Sequence, residues 1–128
     1  MTGSAVLLSK CGVGLDRGAM TTRKRKAVNL YADVKERDFQ ATVLQWAKVH
    51  GWAEHHTWSS VHSPAGWPDL VLCRPPRLIF AELKKEDGQM SSAQTRWLNT
   101  LRECPGVETY LWRPRDIDAV IKVLEAGG

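Results

Sequence analysis

Two short apolar runs flank a proline pair in the stretch Gly66-Trp67-Pro68-Asp69-Leu70-Val71-Leu72-Cys73-Arg74-Pro75-Pro76-Arg77-Leu78-Ile79-Phe80-Ala81-Glu82-Leu83-Lys84. Runs rich in Leu, Val, Ile and Phe read as strands, and a proline pair punctuates them because it cannot donate to a sheet ladder. The stretch therefore predicts a β-hairpin turning at Pro75 and Pro76. Antiparallel pairing about that turn sets Asp69 opposite the end of the second strand, between Glu82 and Lys84. Residues two apart leave the same face of a strand, so Glu82 and Lys84 point together. Two carboxylates and an ammonium thus meet at one end of an otherwise oily hairpin, where ionised groups are costly unless paired or holding a metal.

The rest of the chain supplies layers for that hairpin. Asp33-Val34-Lys35-Glu36 has capping-box spacing, with Asp33 as N-cap and Glu36 at the third helical position. It predicts a helix to about His50, stopped by Gly51, with Phe39, Val43, Trp46 and Ala47 inward. Residues 52 to 58 alternate as a strand, with Trp52, Glu54, His56 and Trp58 on one face, and residues 59 to 66 form a polar loop leading into Asp69. After a charged loop, Ser91-Ser92-Ala93-Gln94 repeats the capping-box pattern and opens a helix to about Cys104, ended by Pro105-Gly106. Its buried stripe is Trp97, Leu98 and Leu101. Residues 107 to 112 alternate as a fourth strand, and Asp116 caps a last helix with Ile117, Val120, Ile121 and Leu124 inward. The order α-β-β-β-α-β-α predicts an α/β domain, one mixed four-stranded sheet flanked by helices.

At 128 residues the chain is one domain by length. Residues 1 to 30 lack sustained periodicity and carry four glycines, so they are expected to be a disordered leader to a folded domain over residues 31 to 126. Charge divides the same way. Residues 1 to 26 hold six basic side chains, Lys10, Arg17, Arg23, Lys24, Arg25 and Lys26, against Asp16, a net +5; the remainder holds 12 basic and 13 acidic groups, a net −1. A basic arm on a nearly neutral body suits a polyanion, with Arg23, Lys24, Arg25 and Lys26 as nucleic-acid contacts, although a solvated tail has the same composition. Met20 directly precedes this cluster and is a second candidate translation start. The apolar run from Ala5 to Leu8 is far too short for a membrane span or signal-peptide core, and Cys11, Cys73 and Cys104 are odd in number and widely spaced, which fits a reducing, cytoplasmic setting.

Pro68-Asp69, twelve residues, then Glu82-Leu83-Lys84 resembles the PD-(D/E)XK nuclease signature. The glycine-aromatic pair before Pro68, and Ser91-x-x-Gln94-x-x-Trp97 after the Glu-x-Lys, make it similar to the VRR-NUC branch of that superfamily, over roughly residues 33 to 124. The resemblance implies a restriction-endonuclease-like core and a Mg²⁺- or Mn²⁺-dependent endonuclease that hydrolyses DNA phosphodiester bonds. It implies Asp69 and Glu82 as metal ligands with the Leu83 backbone carbonyl, and Glu36 acting through a water or a second ion. Lys84 would orient the attacking water and offset phosphate charge, Gln94 would position these groups, and Lys85 would contact phosphate. Small standalone members resemble Holliday junction resolvases. Two symmetric cuts then call for a homodimer, with Trp58, Tyr110 and Trp112 as surplus aromatic surface for the second copy or, equally, for DNA. The alternatives are a nicking or flap-type phage nuclease and a catalytically inactive nucleic-acid-binding relative.

Each site residue also has a structural reading. Glu36 and Gln94 could only cap their helices, and Asp69 or Glu82 could form a plain ion pair with Lys84. Trp67 either stacks on a base or plugs the hairpin end. His56 and His62 are supporting DNA contacts at most, since no metal-ligand spacing accompanies them.

Overall fold

The computed structural model describes residues 30 to 57 and 62 to 127. The expected leader, with Arg23, Lys24, Arg25 and Lys26 and the candidate start Met20, lies outside the described residues, as does Trp58. In chain order the elements are α1 (Glu36–Val49), β1 (Ala53–His56), β2 (Leu70–Arg74), β3 (Arg77–Leu83), α2 (Ser92–Arg102), β4 (Val107–Trp112), a 3-10 turn (Pro114–Asp116) and α3 (Ile117–Glu125). The fold is α/β, with one four-stranded mixed sheet ordered β1-β2-β3-β4. The first two pairings are antiparallel and β3 runs parallel to β4, with α2 as the crossover between them.

The hairpin register follows from its two-residue turn. Arg74 pairs with Arg77 and Leu70 with Ala81, and the Pro75–Pro76 peptide between them is cis. One step past Leu70, Asp69 therefore faces Glu82. Alternation divides the hairpin between two layers. Leu70, Leu72, Ile79, Ala81 and Leu83 join the core with Phe39, Val43 and Ala47 of α1 and Val120 and Leu124 of α3. Fully burying each large aliphatic side chain contributes roughly 1.5–3 kcal/mol relative to exposure. The opposite face carries Phe80, against which Trp67 packs edge-on at 5.6 Å, and Trp67 in turn meets Trp97 of α2 at 4.9 Å. Trp67 thus plugs the space between hairpin and helix.

The turn end of the hairpin is fixed by a cluster absent from the sequence-based expectations. The Arg74 and Arg77 guanidinium groups lie over the Trp52 ring at 4.5 and 4.9 Å. Arg74 donates to the carbonyls of His50, Leu124 and Ala126, and Arg77 to those of Val123 and Ala126. Cations here satisfy carbonyls left open where α1 and α3 end. Arg77 also makes a two-pronged bond to Glu108 at 2.7 Å, which holds the Glu108 carboxyl below its ordinary pKa. The sheet is thereby pinned at one end, leaving the Asp69 end to carry the polar groups.

Several local expectations are corrected. Asp33 does not cap α1: Lys35 is the N-cap residue and no side chain caps the helix, so Glu36 is its first residue and its carboxylate is free of a capping bond. Trp46 is 36% exposed and stacks on His50 at 6.0 Å, because the inward stripe is already filled by Phe39, Val43 and Ala47. The first strand is shorter than expected, since Trp52 turns into the core and donates its indole N–H to Leu124. The Asp116 carboxylate accepts from the Arg113 N–H and closes the 3-10 turn, and makes no cap on α3. Trp112 is buried and Tyr110, stacked on it at 5.0 Å, bonds Glu108, so neither is the free aromatic surface expected for a dimer. Among the described residues no helix is long and apolar enough to cross a membrane.

Candidate active site

Four side chains from three elements converge at the open end of the hairpin. Asp69 stands just before β2 and Glu82 near the end of β3, with Lys84 two residues further on and Gln94 in the first turn of α2. Asp69 is fixed by the backbone, its Oδ2 accepting from the Leu83 N–H at 2.8 Å. In an extended strand the N–H and C=O of one residue leave by the same edge, so the Leu83 carbonyl is directed to the Asp69 side as well. Lys84 donates its own N–H to Trp112 on β4 at 3.0 Å, which sets the strand's alternation and sends the Lys84 side chain to the Glu82 face. Its Nζ lies 3.8 Å from Glu82 Oε2.

Gln94 fulfils two roles with one amide. Its Oε1 accepts from the Ser91 N–H at 2.8 Å while Ser91 Oγ accepts from the Gln94 N–H at 3.1 Å, a complete capping box. Its Nε2 donates to Glu82 Oε2 at 2.7 Å. The capping and site readings of Gln94 therefore coexist, and the cap fixes the direction in which the amide nitrogen points.

Glu82 is 1% exposed and its second oxygen, Oε1, is buried without a hydrogen-bond partner. Burial first, and then the charge and contact of the Asp69 carboxyl, push its pKa up to about 8 against the pull of Lys84. Glu36 reaches the same field from the start of α1. Burial, followed by the Asp69 charge, raises its pKa, partly offset by Lys84 and Lys85. Ionising a buried carboxyl that has one oxygen unpartnered and a second carboxylate beside it is unfavourable, and a hard cation would resolve it. Among the described residues no three His, Cys, Asp or Glu side chains close on one point. A divalent cation here would rest on the carboxylates of Asp69 and Glu82, the Leu83 carbonyl and water, a set that suits Mg²⁺, which keeps several waters.

The remaining sequence-derived candidates fall outside this cluster. Lys85 is exposed and pairs with Asp87 at 3.4 Å, and Trp67 is engaged by Phe80 and Trp97. His56 pairs with Glu54 at 3.2 Å, while His62 is exposed on the loop. Two supporting residues were missed. Arg113 donates to the carbonyls of Lys85, Glu86 and Gly88, clamping the loop that follows Lys84. Gly66 has φ +96°, and a Cβ there would sit 2.5 Å from the Ala93 carbonyl carbon, so the loop entering Asp69 rests directly on α2. Its position immediately before Trp67-Pro68-Asp69 was the available signal for that close approach.

The element order, the mixed sheet and the carboxylates at the strand ends define a restriction-endonuclease-like α/β fold. The sequence matches no protein-family model and no curated protein. Among solved structures it is similar to a VRR_NUC domain protein at 23% identity and TM-score 0.56, covering 72% of this chain and 86% of that one. A second, described as a VRR_NUC domain, is 20% identical at TM-score 0.56, covering 68% of this chain and 94% of the other. The fold of the chain is that of a VRR_NUC domain.

Proposed function

We propose that this protein is a Mg²⁺- or Mn²⁺-dependent endonuclease that hydrolyses phosphodiester bonds in branched DNA. The observation that carries the reading is the pairing of Asp69 with the buried Glu82, whose Oε1 lacks a partner, beside the Lys84 ammonium and the Gln94 amide. The VRR_NUC fold supports it.

When bound, a divalent cation supplies a Lewis acid for the phosphoryl group and makes water more acidic. Asp69, Glu82 and the Leu83 carbonyl would hold it, and Glu36 would add negative charge at the rim. Lys84, held near Glu82 on the same strand face, would orient the attacking water in line with the scissile bond and stabilise negative charge growing on the phosphorus oxygens. Gln94 has no useful proton to give, so it positions: its amide N–H fixes the Glu82 carboxylate. Lys85, exposed beside the site, suits a phosphate of the bound strand.

A domain of this size has little surface for reading base sequence, which favours recognition of shape. Resolution of a four-way junction needs two symmetric cuts and hence a two-fold dimer. The test is a panel of labelled linear, nicked, flap and four-way DNAs with Mn²⁺, alongside sedimentation. Paired cuts in opposite strands of the four-way DNA by a dimer, with linear duplex largely intact, are expected. A monomer cutting flaps and single-strand ends equally well would replace junction resolution by a flap or nicking activity. Binding of these DNAs with no cleavage in either cation would make the chain a binding module.

A further inference from the structure

A cleft of about 480 Å³ opens between the loop entering Asp69 and the flank of α2, lined by Pro64, Ala65, Ala93, Arg96, Trp97 and Thr100. Its two walls meet where Gly66 rests on the Ala93 carbonyl. From that seam the catalytic groups are one step away on either side. Ala93 precedes Gln94, whose amide holds Glu82, and Trp97 packs on Trp67, two residues before Asp69. The cleft is thus walled by the two segments that carry Asp69 and Gln94.

The lining specifies its occupant. Proline, two alanines and an indole give a flat carbon surface, and Arg96, exposed on α2, is the charged side chain among the lining residues. An aromatic and aliphatic slot with one cation at its side suits a ligand that joins an apolar plane to an anion, which is the chemistry of a nucleotide. Within a duplex both faces of a base are covered by its neighbours, so only one that is unpaired or flipped out of the stack can enter. We propose that this cleft receives one unpaired nucleotide of the substrate strand beside the scissile phosphate, its base against Pro64, Ala65 and Trp97 and its phosphate toward Arg96. The inference rests on the nuclease reading for the scissile phosphate, and it places the cut where a nucleotide is unpaired or easily unstacked, as at a bulge or at the strand-exchange point of a branched DNA.

The test uses the full chain in excess EDTA, so that binding is separated from cleavage. The probe is a duplex carrying a single bulged 2-aminopurine, compared with the same duplex fully paired. The wild-type protein should bind the bulged DNA about tenfold more tightly, the worth of one stacked base, with a change in 2-aminopurine fluorescence. Thr100→Trp, which fills the cleft from an exposed helical position, and Arg96→Gln should each erase that preference while leaving thermal unfolding and affinity for the paired duplex nearly unchanged. Equal wild-type affinity for the two DNAs, or a preference that survives both substitutions, overturns the proposal. Failure of the nuclease reading would register separately, as absence of cleavage with Mn²⁺, and would leave the binding preference readable.

Discussion

Replacing Glu82 by Gln should stabilise the cation-free protein, and the gain should grow with pH. Glu82 is 1% exposed, and burial together with Asp69 raises its pKa from 4.5 to about 8. A carboxyl whose folded pKa lies above its unfolded one contributes its full stability below the unfolded value, and that contribution is lost as pH rises toward the folded value. Wild-type protein should therefore weaken between pH 4.5 and 8. At about 1.4 kcal/mol per pH unit, the loss is under about 1 kcal/mol at pH 5 and about 3 kcal/mol at pH 7. Glutamine has the same shape, takes the Gln94 bond through its carbonyl and carries no proton to lose. Urea unfolding of both proteins in EDTA from pH 5 to 8 should show a gap that opens in favour of the variant by roughly 3 kcal/mol. Adding Mn²⁺ at pH 8 should restore wild-type stability and leave the variant unchanged, because a cation takes the place of the proton. A gap that stays flat across this range would refute the placement of an uncompensated carboxylate pair at the site.

Other substitutions separate the two ends of the hairpin. Lys84→Met should lower turnover about 10²- to 10⁴-fold with little change in DNA affinity, measured by single-turnover cleavage and anisotropy; equal losses in both would make Lys84 a phosphate clamp. Gly66→Ala forces a Cβ to within 2.5 Å of Ala93 at φ +96°. It should cost roughly 1–3 kcal/mol from backbone strain alone, visible as a fall in melting temperature of at least about 5 °C, and an unchanged melting temperature would contradict the loop–helix contact. Arg77→Lys should destabilise by about 1–3 kcal/mol in urea, since one ammonium cannot replace the fork to Glu108 and the helix-end carbonyls. Cleavage per folded molecule should be unaffected by it, because Arg77 lies at the far end of β3 from Glu82.

The parts of this fold legible in the sequence are those decided locally. A proline pair between two apolar runs sets the turn, the turn sets the register, and the register brings Asp69 opposite Glu82. Ser91 and Gln94 likewise signal a helix start through spacing alone, and the structure adds that the same glutamine reaches Glu82. What escaped depends on partners distant in sequence. Arg74 and Arg77 look like solvated turn residues until the ends of α1 and α3 arrive beside them, and Trp52 looks like a strand residue until two guanidinium groups and Leu124 claim it. Asp33 offers a capping box that the chain does not use, because residues 30 to 33 turn before the helix begins and Lys35 takes the N-cap position. The excess of aromatics suggested an interface, yet Trp112 is absorbed by the core and Tyr110 by its stack and its bond to Glu108. Composition counts such residues without locating them.

The central claim, that Asp69 and Glu82 form a cation-dependent hydrolytic centre, is tested most directly by the single-turnover cleavage rate of a labelled four-way DNA as Mn²⁺ is raised from zero in a chelator-buffered series, for wild type and Asp69→Asn. Asparagine can still accept the Leu83 N–H through its carbonyl and removes one charge of the carboxylate pair, so the cation-free variant should melt no lower than the wild type. The account predicts a wild-type rate that rises from nothing and saturates with Mn²⁺, and no cleavage by the variant at any concentration. Cleavage by wild type in excess chelator, or by folded Asp69→Asn at the wild-type rate, would contradict it.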